Sequence, residues 1–239
     1  MSTADRGLLE EEQVRAMFDR IAGVYDRMNS VMTAGLHHRW RERAVDLAAV
    51  GEGSRVLDVA TGTGDLALAA ARRGCAVVAG DVSPVMLDRA RAKAAALGPG
   101  AAEIRWEEAN ALALPYEDGA FDAATVGFGA RNFADLDRGL GEMARVVRPG
   151  GRVVVLEITT PRRPPLSWFY AAWFDRLVPA LGQLAGDSAA YAYLPSSVRR
   201  FPGPEGLAAA MAGAGLERIR WVLTAGGIIA IHVGERAGR

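Results

Sequence analysis

The chain has 239 residues, half of them hydrophobic and 23% charged, with 28 basic side chains balancing 28 acidic ones. That composition implies a packed core, excludes global disorder, and leaves no electrostatic reason to expect nucleic acid as a partner. A lone cysteine, Cys75, excludes an intrachain disulfide, and no Cys/His group has metal-site spacing, so no metal is expected.

Residues 10–28 place Val14, Met17, Phe18, Ile21 and Val24 at steps of three or four, which predicts a helix with one apolar face. The polar opening Met1–Arg6 lacks the apolar region of a signal peptide. No later segment reaches the ~18 uncharged apolar residues of a spanning helix. A cytoplasmic protein is expected, with peripheral contact at the inner face of the membrane left open. A second helix is expected over Leu36–Ala49, closed by Gly51-Glu-Gly53.

Strands and helices then alternate. Arg55–Val59, Ala76–Gly80, Ile104–Trp106, Phe121–Val126 and Val153–Ile158 read as strands. An alanine-rich segment to Gly74, Pro84–Leu97 and Leu136–Val147 read as the helices between them, with Pro149-Gly-Gly151 turning the chain into the fifth strand. This order predicts an α/β protein with a mainly parallel sheet covered on both faces. Pro161–Pro204 reads as an insertion holding two or three helices. After it come a helix over 205–214 and a closing hairpin, Arg218–Leu223 and Ile228–Val233, with strand 7 antiparallel beside strand 6. The whole chain reads as one domain: a helical cap (1–50), a core (51–160), the insertion (161–204) and the closing helix and hairpin (205–239).

The chemistry concentrates at strand ends. Asp58-Val-Ala-Thr61-Gly62-Thr63-Gly64 is a strand leaving through a glycine turn into a helix, where free backbone N–H groups face a ligand. The three-glycine spacing of a dinucleotide fold is absent. Asp81, 23 positions after Asp58, ends the second strand. There a carboxylate can accept both hydroxyls of a ribose, or cap the helix behind Ser83-Pro84. Asn110 follows the third strand and has the donor and acceptor to read an adenine edge, or to make an Asx turn.

Asp58-x-Ala-x-Gly62-x-Gly64, with Asp81, Asn110-Ala111, Phe121-Asp122 and Arg145-Val-Val-Arg-Pro-Gly-Gly151, resembles the motif series of class I methyltransferases. Tyr25-Asp26-Arg-Met-Asn29, Gly35-Leu-His37, Trp40 and Phe128-Gly-Ala-Arg131-Asn132 narrow the resemblance to the ubiquinone/menaquinone biosynthesis C-methyltransferases. Tyr193–Ser197, Phe201-Pro202 and Leu223–Gly227 extend it to roughly Phe18–Gly234. Ala60 stands where many members have a glycine, Thr33 where a serine is frequent, and Gly127 where some have a serine.

The resemblance implies a Rossmann-like seven-stranded fold and S-adenosyl-L-methionine as cofactor. Asp58, Thr61, Gly62, Thr63, Gly64, Asp81, Val82, Asn110, Ala111 and Gly127 are its candidate binding residues. The implied acceptor is a polyprenyl quinol, demethylmenaquinol ahead of a benzoquinol precursor of ubiquinone. An O- or N-methyltransferase of another small molecule, or a non-catalytic binding module, are the other readings. A ring carbon attacks only when a quinol or phenolate enriches it, so a base or a fixed cation is needed. Tyr25, Asp26, Arg131 and His232 are the candidates, with His37 behind them. Arg131 is equally readable as a surface ion pair with Asp135 or Asp137, and His232 as a structural strand histidine. The aromatic run Trp168–Phe174 reads as a roof over the acceptor, a membrane-dipping helix, a homodimer contact or plain core packing. Arg162-Arg163 and Arg199-Arg200 could face anionic lipid or plain solvent.

Overall fold

Strand β1 (Arg55–Val59) shows why both sheet faces are covered. Successive side chains point to opposite faces. Val56 enters one apolar cluster, with Ala44 and Leu66, while Leu57 and Val59 enter another, with Leu140 and Met211. The computed structural model describes residues 11–98, 104–161, 164–173 and 188–238. The other strands are β2 (Ala76–Asp81), β3 (Arg105–Glu108), β4 (Phe121–Gly127), β5 (Val147–Ile158), β6 (Leu216–Thr224) and β7 (Ile229–Arg236). They form one sheet in the order β3-β2-β1-β4-β5-β7-β6, parallel from β3 to β5, with β7 antiparallel to both β5 and β6. This is the expected mainly parallel sheet with an antiparallel end.

The helices are α1 (Glu11–Ile21), α2 (Tyr25–Thr33), α3 (Leu36–Ala48), α4 (Asp65–Ala71), α5 (Pro84–Leu97), α6 (Leu136–Val146), α7 (Leu166–Ala172), α8 (Ser188–Arg200) and α9 (Pro204–Gly213). Helices α3 and α4 pack on one face of the sheet; α6 and α9 pack on the other.

Two expectations are corrected. The single helix over 10–28 is broken at Ala22-Gly-Val24 into α1 and α2, which lets Phe18 and Tyr25 meet edge to face at 6.1 Å around the bend. Pro149-Gly-Gly151 is no separate turn. It lies inside β5 as an irregularity, where the pairing with β4 jumps from Phe121↔Val147 to Ala123↔Arg152. A Cβ at Gly151 would stand 2.4 Å from the Asp122 carbonyl oxygen, so the bulge needs glycine there. The Arg145 end of the same motif is structural too. Its guanidinium binds Glu142, Asp118 and the carbonyls of Leu114 and Tyr116. Of the insertion, α7 and α8 are described, while Arg162, Arg163 and Phe174 lie outside the described residues.

Candidate active site

The turn after β1 is built around a buried carboxylate. Asp58 accepts the Thr61 hydroxyl at 2.6 Å and the Thr125 hydroxyl at 2.8 Å, tying the turn to β4. Burial pushes its carboxyl up to about 6. Ala60 has φ +50°, a conformation glycine adopts without strain. Its methyl faces Gly129, where a Cβ would be only 2.7 Å away. Gly62 has φ +56° and open space where a Cβ would stand, and it lines a cavity at the carboxyl edge of the sheet. Gly64 is different. It does not line the cavity, and a Cβ there would meet the Trp106 ring at 2.5 Å. It serves packing.

Asp81 lines the same cavity and is buried. One carboxylate oxygen accepts Gly62 N–H at 2.8 Å, the other Ser83 N–H at 2.9 Å. The cap of α5 is Ser83, whose hydroxyl accepts Met86 N–H. The carboxylate still has acceptor capacity for a hydroxyl. Asn110 makes the Asx turn, accepting Leu112 N–H at 2.8 Å, and its amide donates to Glu11 at 2.7 Å. It still borders the cavity, with Val82, Ala111, Thr61, Thr63 and Gly127. Asn132 Oδ1, on another wall of this cavity, is buried without a hydrogen-bond partner.

A second, apolar cavity of about 360 Å³ lies beside the first. Met17, Ile21 and Met32 from the cap, Trp40 from α3, and Phe169 and Trp173 from the insertion line it. Phe18, Tyr25, Arg41 and Phe128 line both cavities. Phe128 holds φ +61°, a sparsely populated conformation for a non-glycine residue, of the kind that gathers at functional sites.

Among the four candidate reacting groups, Tyr25 and Arg131 border the apolar cavity; Asp26 and His232 do not. Arg131 does not pair with Asp135 or Asp137. Its Nη1 donates to Glu157 Oε1 at 2.8 Å, both side chains being almost fully buried, and to the Phe128 carbonyl at 2.5 Å. Asp26 accepts the Thr63 hydroxyl at 2.6 Å and pairs with Lys93 at 2.6 Å, fastening α2 to the glycine turn. His232 donates from Nε2 to the Pro204 carbonyl at 2.9 Å and stacks on Trp221, holding the start of α9 on β7. The reason lies in strand parity. The alternate residues Ile231 and Val233 face the α3–α4 cluster, which turns His232 towards α9.

Arg41 and His37 are the larger finding, and Arg41 was not singled out in the sequence. Both are buried on α3, one turn apart. Arg41 Nη1 donates to His37 Nδ1, so a neutral His37 carries its proton on Nε2, 3.2 Å from the Ser30 hydroxyl. Burial first, then the Arg41 charge, holds His37 down to about 4. The spacing His37-x-x-x-Arg41 was the available signal, since i and i+4 share a helix face. His37, His38 and Asp65 offer ligand atoms within 4.8 Å of one another. The Arg41 guanidinium already sits among them, 3.5 Å from Asp65.

A pH dependence follows. Between 6.5 and about 4 the unfolded chain binds more protons at His37 than the folded chain, so this group removes stability as the pH falls through that window. Asp58 acts oppositely between about 6 and 3.8, where the folded carboxyl holds its proton more tightly. His37→Gln removes only the first effect. Denaturant titrations at pH 7 and roughly pH 5 should show the variant losing less stability on acidification than the parent; equal losses would disprove the assignment.

A sequence model of the ubiE/COQ5 methyltransferase family matches residues 7–236. The demethylmenaquinone methyltransferase of Thermus thermophilus is 51% identical over 223 residues, covering 92% of this chain and 100% of that one. The protein of the same name from Deinococcus radiodurans is 43% identical, covering 94% and 93%. The ubiquinone/menaquinone biosynthesis C-methyltransferase UbiE of Geotalea uraniireducens is 40% identical, covering 94% and 97%. A SAM-dependent methyltransferase from Aquifex aeolicus superposes with a TM-score of 0.59 at 19% identity, over 81% of this chain and 88% of that one. The cyclase SpnF superposes with a TM-score of 0.71 at 19% identity, over 97% and 98%. The two structural likenesses show the fold.

Proposed function

The chain belongs to the ubiE/COQ5 methyltransferase family and is an S-adenosylmethionine-dependent C-methyltransferase of quinone biosynthesis, and from that premise we propose that its acceptor is demethylmenaquinol, made into menaquinol. The observation that carries the reading is the wall of Phe18, Tyr25, Arg41 and Phe128 between a polar cavity and an apolar one. A polar donor and an apolar acceptor suit the two sides of such a boundary and can meet where it opens. Two relatives named for a single substrate, at 51% and 43% identity, are named for demethylmenaquinone.

The polar cavity suits the cofactor. Asp81 keeps acceptor capacity for ribose hydroxyls, Gly62 leaves room for a close approach, and Asn132 Oδ1 lacks the donor that a bound ligand could bring. Thr61, Thr63, Val82, Asn110, Ala111 and Gly127 would complete the contacts, with Asp58 and Gly64 shaping the turn. When bound, S-adenosylmethionine supplies a methyl group on a sulfonium, open to in-line attack. The protein must then align and enrich the acceptor carbon. The described residues of the apolar cavity include two arginines, Arg41 and Arg131, and no carboxylate. Fixed cations in an apolar surround favour the phenolate form of a quinol. Arg131 would face the phenolate oxygen and Tyr25 would orient the ring.

The apolar lining reaches the surface through exposed Val31, Leu36 and Phe169, beside Trp168, which is 71% exposed. An isoprenoid tail leaving there would remain in the bilayer while the enzyme, a cytoplasmic protein, rests on its inner face. No helix among the described residues is long and apolar enough to cross a membrane.

The test is transfer of labelled methyl to reduced demethylmenaquinone and, in parallel, to a reduced demethylated benzoquinone, each in detergent and in vesicles. Product with the naphthoquinol is expected. Product with the benzoquinol alone would move the enzyme to ubiquinone synthesis. Failure with both, cofactor binding intact, would end the quinol reading. Trp168→Ser should raise KM for the vesicle-borne quinol roughly tenfold, as loss of one interfacial aromatic anchor, and leave the detergent assay unchanged. Equal KM values in vesicles would end the membrane contact.

A further inference from the structure

Resting on the cofactor reading above, we propose that Arg41 anchors the carboxylate at the amino-acid end of the bound cofactor. Charge singles out Arg41. Glu11, Asp58, Asp65 and Asp81 line the polar cavity, and among the described lining residues Arg41 is the one cation. A ligand carrying both an ammonium and a carboxylate finds acceptors in plenty there, and a single partner for its anion.

Position does so too. Asn110 follows β3, Asp81 ends β2, Gly62 follows β1 and Phe128 follows β4. These are successive neighbours along the carboxyl edge of the sheet. The Arg41 guanidinium lies 5.3 Å from the Phe128 ring centroid, at the far end of this row from Asn110. A nucleoside held by Asp81 and Asn110 therefore extends its other end towards Arg41. Arg41 also borders the acceptor cavity, so a ligand anchored on it is held at the shared wall.

Donor capacity agrees. The hydrogen bonds of Arg41, to His37 Nδ1 and the His37 carbonyl, both leave through Nη1. Among the described residues, Nε and Nη2 make none. Asp65 faces its charge but makes no hydrogen bond with it. That carboxylate is 3.5 Å away and has a nearer partner in Lys93, at 2.8 Å. The guanidinium is thus fixed by the protein along one edge and free to fork onto a carboxylate with its remaining donors.

The experiment is calorimetric titration of the parent, Arg41→Gln and Arg41→Lys with S-adenosylhomocysteine and with 5′-methylthioadenosine, which lacks the amino-acid end. Arg41→Gln should weaken S-adenosylhomocysteine by at least about tenfold, the scale of a lost charge-assisted pair, and leave 5′-methylthioadenosine within about twofold. Arg41→Lys should fall between, keeping the charge without the fork. If the glutamine variant does not fold, the lysine variant reports the same ratio of affinities. An unchanged ratio overturns the proposal, including the case where only KM for the quinol moves and Arg41 belongs to the acceptor. A parent that binds neither ligand overturns it together with the cofactor reading, so the two failures are distinguishable.

Discussion

Replacing Arg131 by alanine is expected to cost about 3–5 kcal/mol of stability, the usual penalty for stranding one partner of a buried ion pair, and to abolish quinol methylation. The stranded partner would be Glu157, one residue before the end of β5 and 1% exposed. Its Oε1 accepts from Arg131 Nη1 and from Ile158 N–H, and its Oε2 from Arg131 N–H. Glu157 therefore fixes both the backbone and the guanidinium of Arg131. A stability loss alone would not show a role in the reaction. Arg131→Met combined with Glu157→Gln removes both charges and keeps one acceptor oxygen, enough for one of the two backbone N–H groups. That double variant should regain part of the stability and bind S-adenosylhomocysteine normally, yet stay inactive. Urea midpoints, cofactor titration and turnover on one preparation decide it. Turnover close to the parent's would remove Arg131 from the chemistry.

Gly64→Ala should cost about 2–5 kcal/mol, adding left-handed backbone strain to an overpacked contact. Gly64 has φ +82°, and the new methyl would meet Trp106 at 2.5 Å and Ala90 at 3.1 Å. Both neighbours belong to packed elements, β3 and α5. Gly62→Ala is the control. It meets no atom within 4 Å, so it carries backbone strain alone, while its methyl stands in a residue that lines the cofactor cavity. Gly64→Ala should lower the melting temperature more, and Gly62→Ala should weaken S-adenosylhomocysteine binding more. The reverse order would mean that the roles of the two glycines are exchanged.

How far the sequence was legible follows from the range of each interaction. The sheet could be read because its determinants are local: apolar runs such as Val153–Leu156 and turns after each strand. The glycine turn and Asp81 were readable for the same reason. What escaped were properties set by distant partners. The break at Ala22-Gly-Val24 does not interrupt the three-and-four spacing of apolar residues, so periodicity ran through it. Arg131 was given partners four and six positions away, while its true partner, Glu157, arrives from the adjacent strand. Asp26 sits in a signature beside Tyr25, and only the assembled fold shows that it holds Thr63 and Lys93. His232 falls on the side of β7 that faces α9, a matter of strand parity in the assembled sheet. Arg41 went unnoticed because an arginine on an amphipathic helix is usually solvated, and its burial depends on Phe128 and Asp65.

The cap is attached to the cofactor loops by carboxylates. Glu11 accepts from Asn110, Asp19 from the Ser83 hydroxyl, and Asp26 from Thr63. Each joins one cap residue to one loop that follows β3, β2 or β1. Together they form a row of latches along the rim, and a row of separate polar bonds can release one at a time. The cap is also held by apolar packing of Met17 and Ile21 against Trp173 and Leu194, so these polar bonds add to that contact at the rim. Asp19 lines neither cavity, so its bond to Ser83 ties the cap to the loop after β2 from outside the ligand-bordering residues.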